Sequence, residues 1–197
     1  GRVYEARHRG DRAGNRETAI HHYRTALRLC SLLGDGAPWV FTHGCLGTAY
    51  RHRVRGQRSA NIERAIWHDD EAMRLARHPR SQATWHVGLA NAYRERLRGD
   101  RQENLRVAVQ HFREALAVFT RQTDPGMWAA IHYDLAEMLQ QENTGSRKRN
   151  LEDAIRHYRD ALTVFTRSRH PWDWADVHFL LACLYQQRTA GGQVRNL

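Results

Sequence analysis

The chain has few prolines and few cysteines, four and three in 197 residues, and its apolar residues never run together for long. No stretch approaches the roughly 20 apolar residues that a spanning helix needs, so no membrane association is expected. The start, Gly1-Arg2-Val3-Tyr4, is polar and lacks Met, and no signal peptide is visible. Cys30, Cys45 and Cys183 form no CxxC pair and read as reduced, partly buried thiols of a cytoplasmic protein. Val, Ile and Thr never cluster into alternating runs, which removes support for strands. Also missing are a nucleophile elbow, a Gly-rich phosphate loop, an HExxH or Cys/His cluster and a recurring pair of carboxylates. These absences argue against an enzyme, and no metal or cofactor is expected.

What remains is a helical composition. The stretches between the prolines are rich in Ala, Leu, Arg, Glu and Gln, which favour helix. An apolar fraction of 41% is compatible with a folded core. The formal charge is +10, from 31 Lys+Arg against 21 Asp+Glu, and nearly all the cations are Arg. Such an excess suits an acidic or nucleic-acid partner, or simply a solvated Arg-rich surface.

An internal repeat decides the fold class. Asn15, Asn61, Asn104, Asn150 and Asn196 recur at intervals of 46, 43, 46 and 46 residues. After the first four comes an amphipathic pattern, helix B: Ala19, Tyr23, Ala26 and Leu27 return as Ala65, Asp69, Ala72 and Met73. They return again as Ala108, Phe112, Ala115 and Leu116, and as Ala154, Tyr158, Ala161 and Leu162. Spacings of three and four put these on one helix face. Before each asparagine lies helix A: Leu46, Gly47 and Tyr50 match Leu89, Ala90 and Tyr93, then Leu135, Ala136 and Leu139, then Leu181, Ala182 and Tyr185. Tyr4 is the remnant of an earlier copy.

Turn residues punctuate the units. Gly10, Gly56, Gly99, Gly145 and Gly191 each follow the last helix-A position by six residues, where a left-handed residue ends a helix. The asparagines are placed as N-caps. Pro38, Pro79, Pro125 and Pro171 stand at helix-A starts. The second copy is three residues short, a loss placed near the end of its helix B, which sets Trp85 one turn further in than Trp39, Trp128 and Trp174.

The motifs Leu46-Gly47-x-x-Tyr50 and Ala154-x-x-x-Tyr158-x-x-Ala161 resemble the tetratricopeptide repeat family. The resemblance covers essentially the whole chain. The period is longer than usual, and the family's first-helix Trp is replaced by His43, His86, His132 and His178. This long variant is similar to arrays in large bacterial multidomain proteins, often joined to caspase-like (CHAT) protease domains or signalling ATPases. The resemblance implies an all-α, right-handed superhelical solenoid of antiparallel helix pairs with a concave groove. It implies one array over residues 1–197: a partial copy at 1–14, units starting at 15, 61, 104 and 150, and a new unit at 196. A chain that begins and ends inside a repeat is expected to be a piece of a longer protein. The implied function is a non-catalytic scaffold that holds a peptide or protein domain, in the manner of a sensor or regulatory region.

By the same resemblance, the groove is lined from helix A. Its candidates are Phe41, Thr48 and Arg51; Thr84, Val87, Asn91 and Arg94; Tyr133, Glu137 and Gln140; and Asp176, Phe179 and Gln186. These positions vary between copies while packing positions repeat, as specific binding requires and as lack of constraint also allows. Gly44, Val87, Tyr133 and Phe179 occupy the position where a carboxylate clamp needs lysine, which argues against chaperone-tail binding.

Two further sets recur. The A–B turns carry Arg53, Arg55 and Arg58; Arg96, Arg98 and Arg101; and Arg147, Lys148 and Arg149. Stacked along one edge, they form a stripe able to track phosphates, the alternative function of a nucleic-acid-binding module. Against this, they can pair with helix-B glutamates, for example Arg58 with Glu63. The histidines form two series, His22, His68, His111 and His157 on helix B, and His43, His86, His132 and His178 on helix A. Members of one series lie about one helix-packing distance apart, roughly 10 Å, too far to share an ion. They read as structural imidazoles between packed helices.

Overall fold

The computed structural model describes residues 11–33, 37–142 and 146–193, with side chains for 11–29, 38–142 and 146–188. Tyr4, Gly10, Gly145 and Asn196 lie outside the described residues, as do residues 1–10 of the partial first copy and the Cys30 side chain. The described residues are all-α, with no strand among them. Among the described residues eight helices follow in order: α1 Arg12–Leu33, α2 Ala37–Arg51, α3 Arg58–Leu75, α4 Pro79–Arg94, α5 Arg101–Leu116, α6 Pro125–Gln141, α7 Arg147–Leu162 and α8 Pro171–Gln193. Odd helices are the expected B helices and even ones the A helices. No helix of the described residues is long and apolar enough to cross a membrane.

The chain divides into two compact units, Gly1–Val118 and Phe119–Leu197. In the first, α1 to α5 pack each against the next, and α2 also touches α4. In the second, α6 packs on α7 and α7 on α8. Each core is built from the recurring positions. Ala19, Ala65 and Ala108 in the first unit and Ala154 in the second are all fully buried, and the methyl-sized side chain lets a neighbouring helix come close. The aromatic one turn on fills the space beside it: Tyr23 and Phe112 in the first unit, Tyr158 in the second. Each such burial contributes about 2 kcal/mol.

The helix boundaries correct one expectation. Helices α1, α3, α5 and α7 begin three residues before Asn15, Asn61, Asn104 and Asn150, so the units start earlier than 15, 61, 104 and 150 and the asparagines are not N-caps. The α5 cap is Asp100, whose carboxylate accepts from the Glu103 amide at 2.8 Å. The asparagines lie inside the first turn, and Asn61, Asn104 and Asn150 donate backwards. Asn61 Nδ2 donates to the Arg55 carbonyl (2.9 Å), Asn104 Nδ2 to that of Arg98 (2.8 Å), and Asn150 Nδ2 to that of Glu142 (3.2 Å). Each satisfies a carbonyl that the A–B bend leaves without a helical partner. An amide donor is required there, which a caps-only view of Asn does not reveal.

Gly56 and Gly99 adopt φ of +83° and +76°, the left-handed turn expected of them. Gly191 does not end a helix, because α8 continues to Gln193. The four prolines stand in the first two positions of α2, α4, α6 and α8. The three-residue loss in the second copy lies in the linker rather than in the helix. Three residues, 76–78, join α3 to α4, whereas 163–170 join α7 to α8, and α3 is itself two residues longer than α7.

Candidate functional site

Among the helix-A candidates of the first unit, Phe41 and Thr48 are exposed. Arg51 is half-buried and donates to Glu95 Oε1 at 3.0 Å. The Thr84 hydroxyl and the Asn91 amide turn back on their own helix, to the carbonyls of Arg80 (2.9 Å) and Val87 (3.0 Å). Val87 and Arg94 are half-buried. The position at Gly44 is closed: a methyl group there would overlap the Trp85 ring of α4. The one-turn displacement of Trp85 read from the sequence has this consequence, that an indole roofs the α2 backbone.

The second unit brings more of its candidates together. Tyr133 of α6 donates its hydroxyl to Asp176 Oδ2 of α8 at 2.6 Å. Its ring meets Tyr158 of α7 edge-on, with centroids 5.7 Å apart. Burial first, and the Asp176 hydrogen bond second, push the Tyr133 hydroxyl pKa up, so it stays a donor at all ordinary pH. Gln140 donates to Tyr158 Oη at 2.9 Å. Phe179 stands 66% exposed one turn beyond Asp176, and Trp172, one turn before it, is 87% exposed. Gln186 is exposed and Glu137 half-buried on the same faces. The surface is therefore apolar and acidic, in a chain whose net charge is +10.

Part of the basic edge is committed internally. Arg53 reaches back to Glu17 with two bonds, 2.8 and 2.7 Å, and Arg96 to Glu63 with 2.9 and 3.0 Å. Arg188 repeats the pairing with Glu152 at 2.8 Å. The guanidinium groups of Arg53 and Arg96 also lie over the rings of Tyr50 and Tyr93, 5.8 and 5.5 Å from the centroids. The recurring clasp thus joins the end of one A helix to the start of the B helix before it. Arg58 pairs with Glu95 rather than the expected Glu63, and Arg101 donates to the Arg94 carbonyl. Arg55 lies 3.9 Å from Asp11, with both side chains mostly exposed. The side chains of Arg98, Arg147, Lys148 and Arg149 are exposed, and none of them pairs with another side chain among the described residues.

The two histidine series meet each other. His43 and His68 face each other with Nδ1 atoms 3.2 Å apart, His86 and His111 at 2.9 Å, and His132 and His157 at 2.9 Å. Each pair is 25 residues apart in sequence and ties an A helix to the next B helix. Distances within one series could not reveal this. Burial lowers the pKa of His43, His86, His111 and His132, and pushes His68 down to about 3. His43, His68, His86, His111 and His132 are accordingly neutral at pH 7, and one Nδ1–H of a pair can donate to the other's lone pair. Asp160 Oδ2 adds a third group at the last pair, 3.3 Å from His132 Nδ1.

One buried group stands outside every expectation. Asp69 of α3, at the place of the core aromatic, is 2% exposed. Its carboxyl occupies the space that Gly47 of α2 and Gly88 of α4 leave open; a methyl group on Gly88 would lie 2.9 Å from Oδ2, and one on Gly47 would overlap the carboxyl. Burial pushes its pKa up to about 8, with the Arg51 charge opposing. The signal was present in the sequence as a lone acid in an aromatic register. No protein-family model matches the chain, and no curated protein matches it.

Proposed function

We propose that the chain is a tetratricopeptide-like array acting as a non-catalytic scaffold, whose helix-A surface holds a protein segment. The observation that carries this is the second unit's pairing of exposed Phe179 with Asp176, whose carboxylate is oriented by Tyr133 from the adjacent A helix. An apolar contact beside a fixed anion suits a segment carrying an aliphatic or aromatic anchor next to Lys or Arg. Oriented polar groups with an apolar neighbour supply specificity because an ill-matched partner leaves a charge unpaired. The regularity of the helix pairs and the variation of these surface positions support the same reading.

A peptide-display selection against the whole chain tests it. Enriched peptides are expected to carry an apolar residue beside a basic one. Phe179→Ser and Asp176→Lys should each weaken them at least about tenfold, the cost of one lost contact of this kind. Both side chains are exposed, so helical content should not change. Selected peptides that bind the two variants as well as the parent would refute the assignment. A nucleic-acid partner rests on a narrower observation, the exposed run Arg147-Lys148-Arg149 in the first turn of α7, where the helix dipole disfavours cations. The clasps that occupy Arg53 and Arg96 leave that reading second.

A further inference from the structure

We propose that His132, His157 and Asp160 form a binding site for a divalent first-row transition-metal ion of the zinc class. One ring nitrogen of each histidine and one carboxylate oxygen lie within 4.8 Å of one another, on α6 and α7. The two nitrogens are 2.9 Å apart. With metal–ligand bonds of about 2.1 Å, one ion between them subtends an N–metal–N angle of roughly 90°. The 3.3 Å from His132 Nδ1 to Asp160 Oδ2 corresponds to an angle of about 100° at the same ion, given the same bond length. Three donors then occupy neighbouring coordination positions, and water takes the rest. Two imidazoles and a carboxylate, with no thiolate, suit zinc, cobalt or nickel over calcium or a soft ion. Both rings must carry their proton on Nε2, so the ion replaces the proton shared between them in the empty pair.

The first unit supplies an internal comparison. His68, His111 and His157 are each followed three residues later by an acid, Glu71, Glu114 and Asp160. Only the last belongs to a three-donor group among the described residues. Glu71 is held by Arg74 at 2.6 Å, and Glu114 accepts from Gln110 at 2.6 Å. Asp160 has His132 as its side-chain partner, and nearby Arg156 is engaged by Asp153 at 2.9 Å. Glutamate is drawn away by a neighbour on its own helix; the shorter aspartate stays beside the imidazoles. Its side chain is 38% exposed, which leaves an entry path.

The whole chain, stripped with chelator, is titrated with zinc and with cobalt by calorimetry and visible absorption. One saturable equivalent is expected, with a dissociation constant in the micromolar range or tighter. Zinc should raise the melting temperature by about 3 °C or more, because the ion binds the folded state alone. Asp160→Asn should weaken binding at least tenfold and His157→Gln should abolish it, while Glu114→Gln leaves it unchanged. Circular dichroism confirms that each variant is folded; Asp160→Asn, partly exposed and nearly isosteric, keeps the test valid where a histidine variant does not fold. The proposal is overturned by the lack of a saturable site, or by binding that survives Asp160→Asn or falls equally in Glu114→Gln.

Discussion

Replacing Asp69 by Asn isolates the energetic consequence of burying an acid in an aromatic register. In the folded chain the carboxyl titrates at about 8 against an ordinary 3.8. Between those values the native state holds a proton that the unfolded chain has released. Stability from this group is therefore greatest at low pH, falls as pH rises toward 8, and levels off above it. At roughly 1.4 kcal/mol per pH unit, the cost reaches on the order of 4 kcal/mol at pH 7. Structural relaxation and water entry make this an upper limit. Asn has nearly the same shape, keeps a polar group between Gly47 and Gly88, and has no ionisation to suppress. Asp69→Asn should thus be more stable than the parent by about 2–4 kcal/mol at pH 7. The advantage should shrink steadily toward pH 4. The histidines act in the opposite sense. His43, His68, His86 and His111 have depressed native pKa values, so stability from them is present above about 6.5 and lost as pH falls. They are common to both proteins, so the difference between parent and variant cancels them. Urea unfolding of the pair at half-unit steps from pH 5 to 9 measures that difference. A gap independent of pH, or a variant weaker than the parent at pH 7, would refute the argument.

Two further outcomes follow from the packing. A double-mutant cycle on Glu63→Gln and Arg96→Ala should give a coupling of about 1 kcal/mol, since the two-bond clasp is partly screened, and the value should diminish in 1 M salt; additivity of the two changes would show that the clasp contributes nothing. Gly44→Ala should destabilise the first unit by about 1–3 kcal/mol because the new methyl overlaps the Trp85 ring. In a Trp85→Ala background, thermal unfolding should show less than half that cost, and an equal cost in both backgrounds would place the strain elsewhere.

Local patterns were legible in the chain itself. The recurrence of Ala, an aromatic and Leu at helical spacing determined that B and A helices alternate, because spacing alone decides which side chains share a face. The first-turn prolines and the φ-positive Gly56 and Gly99 were equally local, each set by its own backbone geometry. Other features required two helices to meet. Asn61 and Asn104 proved to be donors across a bend, since a side chain's partner six residues back depends on how the chain turns. Trp85 was visibly displaced, but its seat on Gly44 belongs to the α2–α4 contact. Arg96 chose Glu63 over nearer carboxylates because packing set the ends of α3 and α4 side by side. The histidines show the difference most clearly. Periodicity sorted them into two series, one per helix type, and distances along either series exclude a shared ion. Only the docking of α6 on α7 brings His132, His157 and Asp160 to one point, because a period measures spacing along the chain, and coordination depends on distance between helices.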